Sequence, residues 1–260
     1  MPDLRGGSTQ AGAGSRGRRG TAAAVVFDGD DTLWHTELLY DRARTHSSQV
    51  VAGVGLDPSS FELLQKELDL RNFETYGLSP TRFPTSSVEA YRELAARHGL
   101  PVAADAADEI YRRSAGVFVA VAPLVEHVAD VLGDLSQDHR LALLTKGDPE
   151  VQERRIEASG LAGFFELTRV VAEKDERCFV EVVVGLDCAP AASWSVGNSV
   201  PSDIAPALRA GMQAIWIDSP VWDRERSNGT VDVSPRLHRA KRLDEVPSIV
   251  RQHSARHLPA

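Results

Sequence analysis

Three acidic residues stand within four positions, directly after an apolar run near the start of the chain. The stretch AAAVVFDGDDTLW, residues 22–34, contains Asp28, Asp30 and Asp31. Carboxylates this close together repel one another, and carboxylates beside buried apolar residues are costly without a cation or hydrogen bonds. A divalent metal ion would offset this repulsion directly, so the cluster indicates a metal site. For Asp31, capping of a following helix is an equally good interpretation.

A calcium-binding EF-hand loop also begins with the pattern D-x-D-x, but the rest of this segment does not fit one. The invariant glycine of such a loop would fall on Leu33, and its terminal glutamate would fall on Leu39. Because leucine supplies neither the sharp glycine turn nor a carboxylate ligand, the sequence excludes an EF-hand.

Short apolar runs recur along the chain and have the composition of strands that are buried on both faces. Helix-like stretches lie between them; one begins with Asp148 as its cap and Pro149 in its first turn, and ends at Gly160. This alternation predicts an α/β fold with a Rossmann-like, doubly wound parallel sheet. The predicted strands are AAAVVF (22–27), RLALLT (140–145), SWSVG (193–197) and QAIWI (213–217), with a weaker one at ELTRVV (166–171).

The interval from about residue 36 to about residue 120 has a helical pattern that no strand-like run interrupts. A small helical domain explains an insertion of roughly eighty residues better than one long loop does. We therefore expect an α-helical cap, residues 36–120, inserted into a Rossmann-like core formed by residues 22–35 and 121–250. The basic, Gly-rich residues 1–21 are expected to form a disordered tail, and residues 251–260 a flexible one.

Polar residues follow the predicted strands, and ligands of such sheets bind at the carboxyl ends of the strands. Together these residues offer a nucleophile, an acid/base group, hydroxyls, a cation and oxygen ligands for a metal. This inventory fits phosphoryl transfer. The residues are Asp28, Gly29, Asp30 and Thr32 after the first strand, Thr145, Lys146 and Gly147 after the second, Gly197, Asn198, Ser199, Ser202 and Asp203 after a later one, and Lys174 ahead of a helix.

The order of these residues resembles that of the haloacid dehalogenase superfamily, specifically a phosphatase-like hydrolase with a helical cap. Four motifs, with a cap-sized insertion after the first, carry the resemblance over about residues 22–220. They are Asp28-Gly29-Asp30-Asp31-Thr32 after an apolar strand, Thr145 in LALLTKGD, Lys174 in VVAEKDERCF, and the acidic loop Gly197-Asn198-Ser199-Val200-Pro201-Ser202-Asp203.

The resemblance implies a role for each motif. Asp28 would attack phosphorus in line and form an aspartyl-phosphate. Asp30 would protonate the leaving oxygen, and would then accept a proton from the water that cleaves the intermediate. Thr145 and nearby backbone N–H groups would hold the phosphoryl oxygens, and Lys174 would balance the charge between phosphate and nucleophile.

Mg²⁺ is the cofactor that the resemblance implies, with Asp28, the backbone carbonyl of Asp30 and the last motif as its protein ligands. The sequence departs from the family pattern at Asn198, where an aspartate is usual. Asparagine keeps an oxygen ligand but removes one charge, so we expect weaker metal binding and not its loss. Asp203 is then the one carboxylate of that loop, and binds the ion directly or through water. Asp31 also departs from the pattern, since it replaces a common glycine.

Asp30 also favours one branch of the superfamily, because the dehalogenating branch lacks this second aspartate and needs no metal. A phosphate ester is therefore the expected substrate. Arg71 is a candidate for contacting a second anionic group, and Tyr76 for stacking on a ring. The residues assigned to substrate binding are Gly29, Trp34, Arg71, Tyr76, Lys146 and Gly147.

Composition limits the partners and the location of the protein. The chain has 260 residues and a formal net charge of −8, which disfavours a nucleic-acid surface. Its two cysteines, Cys178 and Cys188, are not in a CxxC spacing, so a reducing cytoplasm is expected. No run approaches the length of a membrane span, so no membrane partner is expected.

The sequence thus predicts a Mg²⁺-dependent phosphatase acting on a small phosphorylated metabolite, namely a sugar phosphate, a nucleotide or a biosynthetic intermediate. One alternative is a phosphotransferase or phosphomutase, in which the phosphoryl group passes from the aspartate to a sugar hydroxyl. Another is a catalytically weak binding protein, which Asn198 alone favours. The motifs do not separate these alternatives, and they leave the oligomeric state open.

Overall fold

The computed structural model of the chain describes residues 23–219 and 234–254. The strands in these ranges are β1 (Ala24–Phe27), β2 (Arg140–Lys146), β3 (Leu167–Val171), β4 (Trp194–Gly197), β5 (Gln213–Ile217) and β6 (Leu237–Ala240). They form one parallel sheet in the order β3-β2-β1-β4-β5-β6. The predicted Rossmann-like α/β fold is therefore confirmed.

The central strands are buried on both faces because their side chains alternate between two apolar clusters. In β1, Val25 and Phe27 join one cluster, while Ala24 and Val26 join the other. The first cluster is covered by α5 (Val128–Leu135), α6 (Pro149–Ser159) and α9 (Val246–Ser254), and the second by α7 (Glu176–Gly185) and α8 (Ala205–Arg209). This double coverage explains why the central strands have near-continuous apolar sequences.

The sequence pattern did not predict β6. This strand has the sequence LHRA, in which Ala240 is the one buried residue. Among the described strands it pairs with β5 only, and it therefore forms an edge of this six-stranded sheet. An edge strand is less enclosed than a central one, so it needs no long apolar run that sequence patterns could reveal.

Between β1 and α5 the chain forms the helices α1 (Glu37–Gly53), α2 (Pro58–Tyr76), α3 (Arg82–Arg97) and α4 (Ala104–Ala115). They enclose an apolar cluster of their own, which includes Phe61, Leu68, Tyr91 and Ile110. The helical pattern predicted for this interval is thus present. Its division into a separate cap domain at residues 36–120 stays a prediction.

The two segments that join these helices to the sheet lie side by side. The N–H of Val125 donates to the carbonyl oxygen of Leu33 at 2.9 Å, and the N–H of His35 donates to that of Pro123 at 2.8 Å. The chain therefore leaves the core and returns to it at one place, next to the residues that follow β1.

Both predicted tails fall largely on residues that are not described. Residues 1–21 lie outside the described residues, and so do residues 255–260. Residues 251–254 continue α9, so this part of the expected flexible tail is helical instead.

Candidate active site

Asp28 and Gly29 directly follow β1, and Thr145 lies near the end of the neighbouring β2. The parallel register pairs Phe27 with Leu143, which brings Gly29 level with Thr145. A Cβ atom added to Gly29 would lie 3.3 Å from Oγ1 of Thr145. The Thr145 hydroxyl is buried and has no hydrogen-bond partner among the described residues. Such an unpaired buried hydroxyl is unusual, and it is available to bind an oxygen of a ligand.

Gly29 shapes the turn after β1. Its carbonyl oxygen accepts hydrogen bonds from the N–H groups of Thr32 at 3.2 Å and Leu33 at 2.8 Å. A Cβ atom here would lie 2.5 Å from Cζ2 of Trp34, whose side chain is buried. Gly29 and Trp34 were both assigned to substrate binding, but neither lines the cavity at the strand ends. Trp34 packs against the turn instead and contacts Asp30.

Asp31 has a left-handed backbone conformation, with φ of 59°. This conformation favours glycine and tolerates aspartate, which explains why the position can carry either residue. Both carboxylate oxygens of Asp31 accept from the N–H of Glu37 at the start of α1, at 3.0 and 3.2 Å. Burial raises the pKa of Asp31 to about 8. The carboxylate therefore caps α1, as the helix-capping interpretation predicts.

Lys174 joins two carboxylates that come from different strand ends. Its Nζ lies 2.5 Å from Oδ1 of Asp28 and 2.7 Å from Oδ1 of Asp203, and all three side chains are buried. Burial and the nearby Asp203 raise the pKa of Asp28 to about 7. Burial of Lys174 opposes its protonation, but Asp203 and Asp28 outweigh this effect and raise its pKa above the ordinary value. The lysine is thus a fixed cation between two acids.

The last motif loop is built around Asp203. Its Oδ2 accepts from the N–H of Ser199 at 2.9 Å, and its backbone carbonyl accepts from Oγ of Ser195 at 3.0 Å. A Cβ atom at Gly197 would lie 2.4 Å from Cγ of Asp203, so glycine permits this close approach. Asn198 lies in the same loop and lines the cavity. These contacts bring the fourth motif to the same edge of the sheet as the first.

Asp30 accepts four hydrogen bonds. Its Oδ1 accepts from Nε1 of Trp34 and from Oγ1 of Thr36, each at 2.7 Å. Its Oδ2 accepts from Nε2 of Gln152 and from Nη1 of Arg155, each at 2.9 Å. Burial would raise the pKa of Asp30, but the charge of Arg155 and these donors lower it below the ordinary value. In this conformation Asp30 is an ionised carboxylate held in one orientation.

Gln152 and Arg155 contact Asp30 and line the cavity, although the motifs did not predict them. Both are buried and lie three positions apart on α6, so they share one face of that helix. That helix begins directly after Thr145, Lys146 and Gly147. A polar pair on the buried face of a helix that follows a motif is the signal that could have identified them.

A cavity of about 160 Å³ lies between the strand ends and helices α1–α3. On the sheet side, residues from the ends of β1, β2 and β4 line it together with Lys174; Lys146 and Gly147 are among them, whereas Thr145 is not part of the lining. On the helical side, the lining includes aromatic, acidic and basic residues. The described lining from the motifs comprises Asp28, Asp30, Asp31, Lys146, Gly147, Lys174, Asn198, Ser199, Ser202 and Asp203.

Two residues assigned to the substrate lie elsewhere. Arg71 and Tyr76 of α2 are exposed, and neither lines the cavity. Asp69, two positions before Arg71, lines it instead, together with Arg82 at the start of α3. The helical segment thus lines the cavity through residues other than Arg71 and Tyr76.

The oxygen atoms at the strand ends are of the type that Mg²⁺ requires. Among the described residues, no group of three or more His, Cys, Asp or Glu side chains is arranged to hold a metal by itself. Mg²⁺ needs fewer protein ligands, because it commonly uses one or two carboxylates and keeps several waters. Asp28 and Asp203 supply those carboxylates, and a cation would oppose both burial and the neighbouring charge of Asp203, which raise the pKa of Asp28. The residues present therefore fit Mg²⁺.

A parallel sheet that brings an aspartate, a threonine, a lysine and a second acidic loop to one edge defines a particular class of hydrolase. The sequence profile of the haloacid dehalogenase-like hydrolases matches residues 22–211. Since this match covers most of the chain, the protein belongs to that family.

Several curated relatives of the chain are phosphatases. Phosphoserine phosphatase from Thermus thermophilus is 32% identical over 83 residues, which is 30% of this chain and 33% of that protein. N-acylneuraminate-9-phosphatase from Rattus norvegicus is 33% identical over 101 residues, 36% of this chain and 41% of that protein. The chain thus spans less than half of either relative. Glyceraldehyde 3-phosphate phosphatase from Methanothermobacter thermautotrophicus is 25% identical over 215 residues, 79% of this chain and 89% of that protein.

Solved structures of the same family share the fold. A haloacid dehalogenase-like hydrolase from Xanthomonas campestris superposes with a TM-score of 0.76 at 27% identity, covering 91% of this chain and 98% of that one. A hydrolase from Bacillus subtilis gives a TM-score of 0.59 at 19% identity, covering 89% and 99%. At 19% identity, the similarity to the Bacillus subtilis structure supports only the fold.

Proposed function

We propose that the protein is a Mg²⁺-dependent phosphatase that hydrolyses a small phosphorylated metabolite through an aspartyl-phosphate at Asp28. The observation that carries this proposal is the contact of Lys174 with both Asp28 and Asp203, three residues that line the cavity together. Phosphatase relatives of the chain support the same reaction class. A sugar phosphate, a nucleotide or a biosynthetic intermediate remains the expected kind of substrate.

The first half of the reaction forms a bond from a carboxylate oxygen of Asp28 to phosphorus and breaks the bond from phosphorus to the leaving oxygen. Thr145 donates a hydrogen bond to a phosphoryl oxygen, and Lys174 balances the negative charge. Bound Mg²⁺, held by Asp28, Asp203, Asn198 and the backbone carbonyl of Asp30, would supply further neutralisation of that charge.

Asp30 acts as the general acid and the general base in this proposal. It protonates the leaving oxygen in the first step, and in the second it accepts the proton of the water that attacks the aspartyl-phosphate. Because Asp30 is ionised and held by four donors in the present conformation, this orientation suits the second step. Protonation in the first step requires Asp30 to release some of its contacts with Gln152 and Arg155.

Helices α1–α4 act as a cap in this proposal. They cover the strand ends, exclude water from the cavity and contact the leaving group. We also propose a cytoplasmic location, which the free thiols of Cys178 and Cys188 support. In the described part of the chain, none of the helices is both long enough and apolar enough to cross a bilayer.

The proposal is tested with 4-nitrophenyl phosphate and Mg²⁺. We expect phosphate release that EDTA abolishes and added Mg²⁺ restores. Asp28→Asn should reduce turnover by at least about a thousandfold, because the nucleophile is lost. Asp130→Asn is the matched control, since the Asp130 side chain is 86% exposed on α5, and it should leave turnover unchanged.

Unaltered turnover in Asp28→Asn would remove Asp28 as the nucleophile. Acid-quenched wild-type protein should carry one phosphoryl group on the peptide that contains Asp28, and Asp28→Asn should carry none. Transfer of the phosphoryl group to an added sugar at the expense of free phosphate would establish a phosphotransferase instead.

A further inference from the structure

Asp69 is a buried carboxylate on the helical side of the cavity. It is 6% exposed and lies on the buried face of α2, where it lines the cavity opposite the strand ends. Its Oδ1 accepts from Nε of Arg82 at 3.0 Å. No hydrogen bond to its Oδ2 occurs among the described residues, and this oxygen is not sealed from solvent. Asp69 therefore offers one free acceptor to the contents of the cavity.

Arg82 fixes the orientation of this carboxylate. Its Nη1 donates to the carbonyl oxygen of Gly77 at 2.6 Å, and its guanidinium lies 5.5 Å from the centre of the Phe73 ring. Gly77 ends α2 with φ of 55°, a conformation that favours glycine. Since a buried carboxylate needs a paired cation, Arg82 stabilises the charge of Asp69 while leaving Oδ2 available.

The basic side chains on the helical side and on α6 are already paired with acids. Arg82 pairs with Asp69, and Nη2 of Arg44 lies 3.0 Å from Oε2 of Glu37. Nη1 of Arg155 lies 2.9 Å from Asp30, while its Nε and Nη2 are buried out of reach of solvent. Of these three guanidinium groups, Arg82 is the one that contacts Asp69, so an anionic group beside Asp69 would meet a carboxylate whose neighbouring cation is already paired.

The cavity wall beside the Asp69–Arg82 ion pair is aromatic. The Tyr40 ring packs edge-on against Phe83 at 4.9 Å and against Phe118 at 6.0 Å, and all three rings line the cavity. Such a wall accommodates C–H groups and offers little to a charged group. The cavity thus combines one fixed acceptor with an apolar surface.

We infer that Asp69 recognises the leaving group, and that the substrate is a phosphate ester of a neutral, polyhydroxylated compound, one hydroxyl of which donates to Oδ2 of Asp69. This inference rests on the proposed phosphatase function and specifies its substrate class. It favours a sugar or polyol phosphate over a phosphorylated acid.

The test compares three probes: a hexitol phosphate, phosphoglycerate and 4-nitrophenyl phosphate. In the wild type, kcat/KM for the hexitol phosphate should exceed that for phosphoglycerate by at least about tenfold, because Asp69 would repel the carboxylate of the latter and its neighbouring cation, Arg82, is already paired with Asp69. Equal values, or a preference for phosphoglycerate, would overturn the inference.

Asp69→Asn separates the role of Oδ2 from the pairing with Arg82. Asparagine keeps an oxygen that accepts from Arg82, but it places an NH₂ donor where Oδ2 stands. We expect kcat/KM for the hexitol phosphate to fall at least about tenfold further than kcat/KM for 4-nitrophenyl phosphate, mainly through a higher KM. Glu62→Gln on the same helix, outside the cavity lining, is the matched control and should change neither value.

If Asp69→Asn lowers kcat/KM similarly for the hexitol phosphate and for 4-nitrophenyl phosphate, the inference is overturned. The proposed phosphatase function would not be affected by that result. Absence of hydrolysis of every phosphate ester by the wild type would defeat the proposed function, and this inference with it. If Asp69→Asn fails to fold, wild-type kinetics with singly deoxygenated hexitol phosphates decide the matter. Removal of at least one of the hydroxyls should lower kcat/KM by about tenfold or more. Equal kcat/KM values for all the deoxygenated compounds would overturn the inference.

Discussion

Nζ of Lys174 lies 2.5 Å from Oδ1 of Asp28, although 146 positions separate the two residues in the chain. The same ammonium group lies 2.7 Å from Asp203. One buried cation thus stabilises two buried carboxylates, and the stability of the fold and the chemistry of the site depend on the same contacts.

Lys174→Met should destabilise the protein and stop turnover. Removing the shared cation leaves two buried carboxylates that repel each other, so we expect the free energy of unfolding to fall by about 3–5 kcal/mol. Added Mg²⁺ should recover part of this loss by binding the same two carboxylates. Chemical denaturation with and without Mg²⁺ measures both effects. Lys66→Met, at an exposed position of α2, should have little effect, and equal stability of the two variants would contradict the prediction.

Thr145→Val should lower turnover without lowering stability. The hydroxyl of Thr145 is buried and has no partner among the described residues, so replacing it with a methyl group costs no internal hydrogen bond. Turnover should fall by about 10²–10³-fold if the hydroxyl stabilises the transition state. Steady-state kinetics and thermal melting provide the measurements. Thr145→Ser keeps the hydroxyl and should retain most of the activity; a stable, fully active valine variant would refute this role.

Gly29→Ala should damage both the turn after β1 and the site. The added Cβ would lie 2.5 Å from the Trp34 ring, which is buried and holds Asp30, so the ring must move. We expect a loss of about 1–3 kcal/mol in the free energy of unfolding and reduced turnover. Gly53→Ala is a matched control, because a Cβ at Gly53 has no neighbour within 4 Å. The prediction fails if the two alanine variants are equally stable and active.

We expect His238 to contribute to a fall in the free energy of unfolding in mild acid. Burial and the neighbouring His253 lower the pKa of His238 from 6.5 to about 4. Between these values the unfolded chain binds a proton that the folded chain does not, so stability should fall as the pH falls from about 6.5 to about 4. Thermal melting across this range should show a weaker pH dependence for His238→Gln than for the wild type. The exposed His98→Gln is the control and should keep the wild-type dependence; identical curves for His238→Gln and the wild type would exclude this contribution.

Sequence patterns were sufficient to predict the motif residues, because the position of each residue relative to its strand is encoded locally. Asp28, Thr145 and Asp203 follow strands whose apolar composition is unmistakable, and the carboxyl ends of parallel strands meet at one edge. The convergence of these residues with Lys174 could therefore be expected from the amino-acid sequence. For Asp31 the sequence left helix capping and a part in the acidic cluster equally open, and the hydrogen bonds to the N–H of Glu37 favour the cap.

Sequence patterns could not select the residues that enter the cavity from the helices. Asp69 and Arg71 are two positions apart, which places them about 200° apart around α2, so only one of them can face the cavity. Which one does so depends on how α2 packs against α3 and on where Arg82 meets it. The same holds for Gln152 and Arg155, whose contacts with Asp30 arise only when α6 packs beside the first motif.

The amino-acid sequence by itself therefore determined the sheet, the order of the motifs and the edge at which they meet, because strand composition and parallel topology are encoded locally. The tertiary structure alone decided which side chains contact Asp30 and which acid and base of the helices line the cavity. These contacts depend on how whole helices are rotated and packed, and that packing is determined by many residues far apart in the chain.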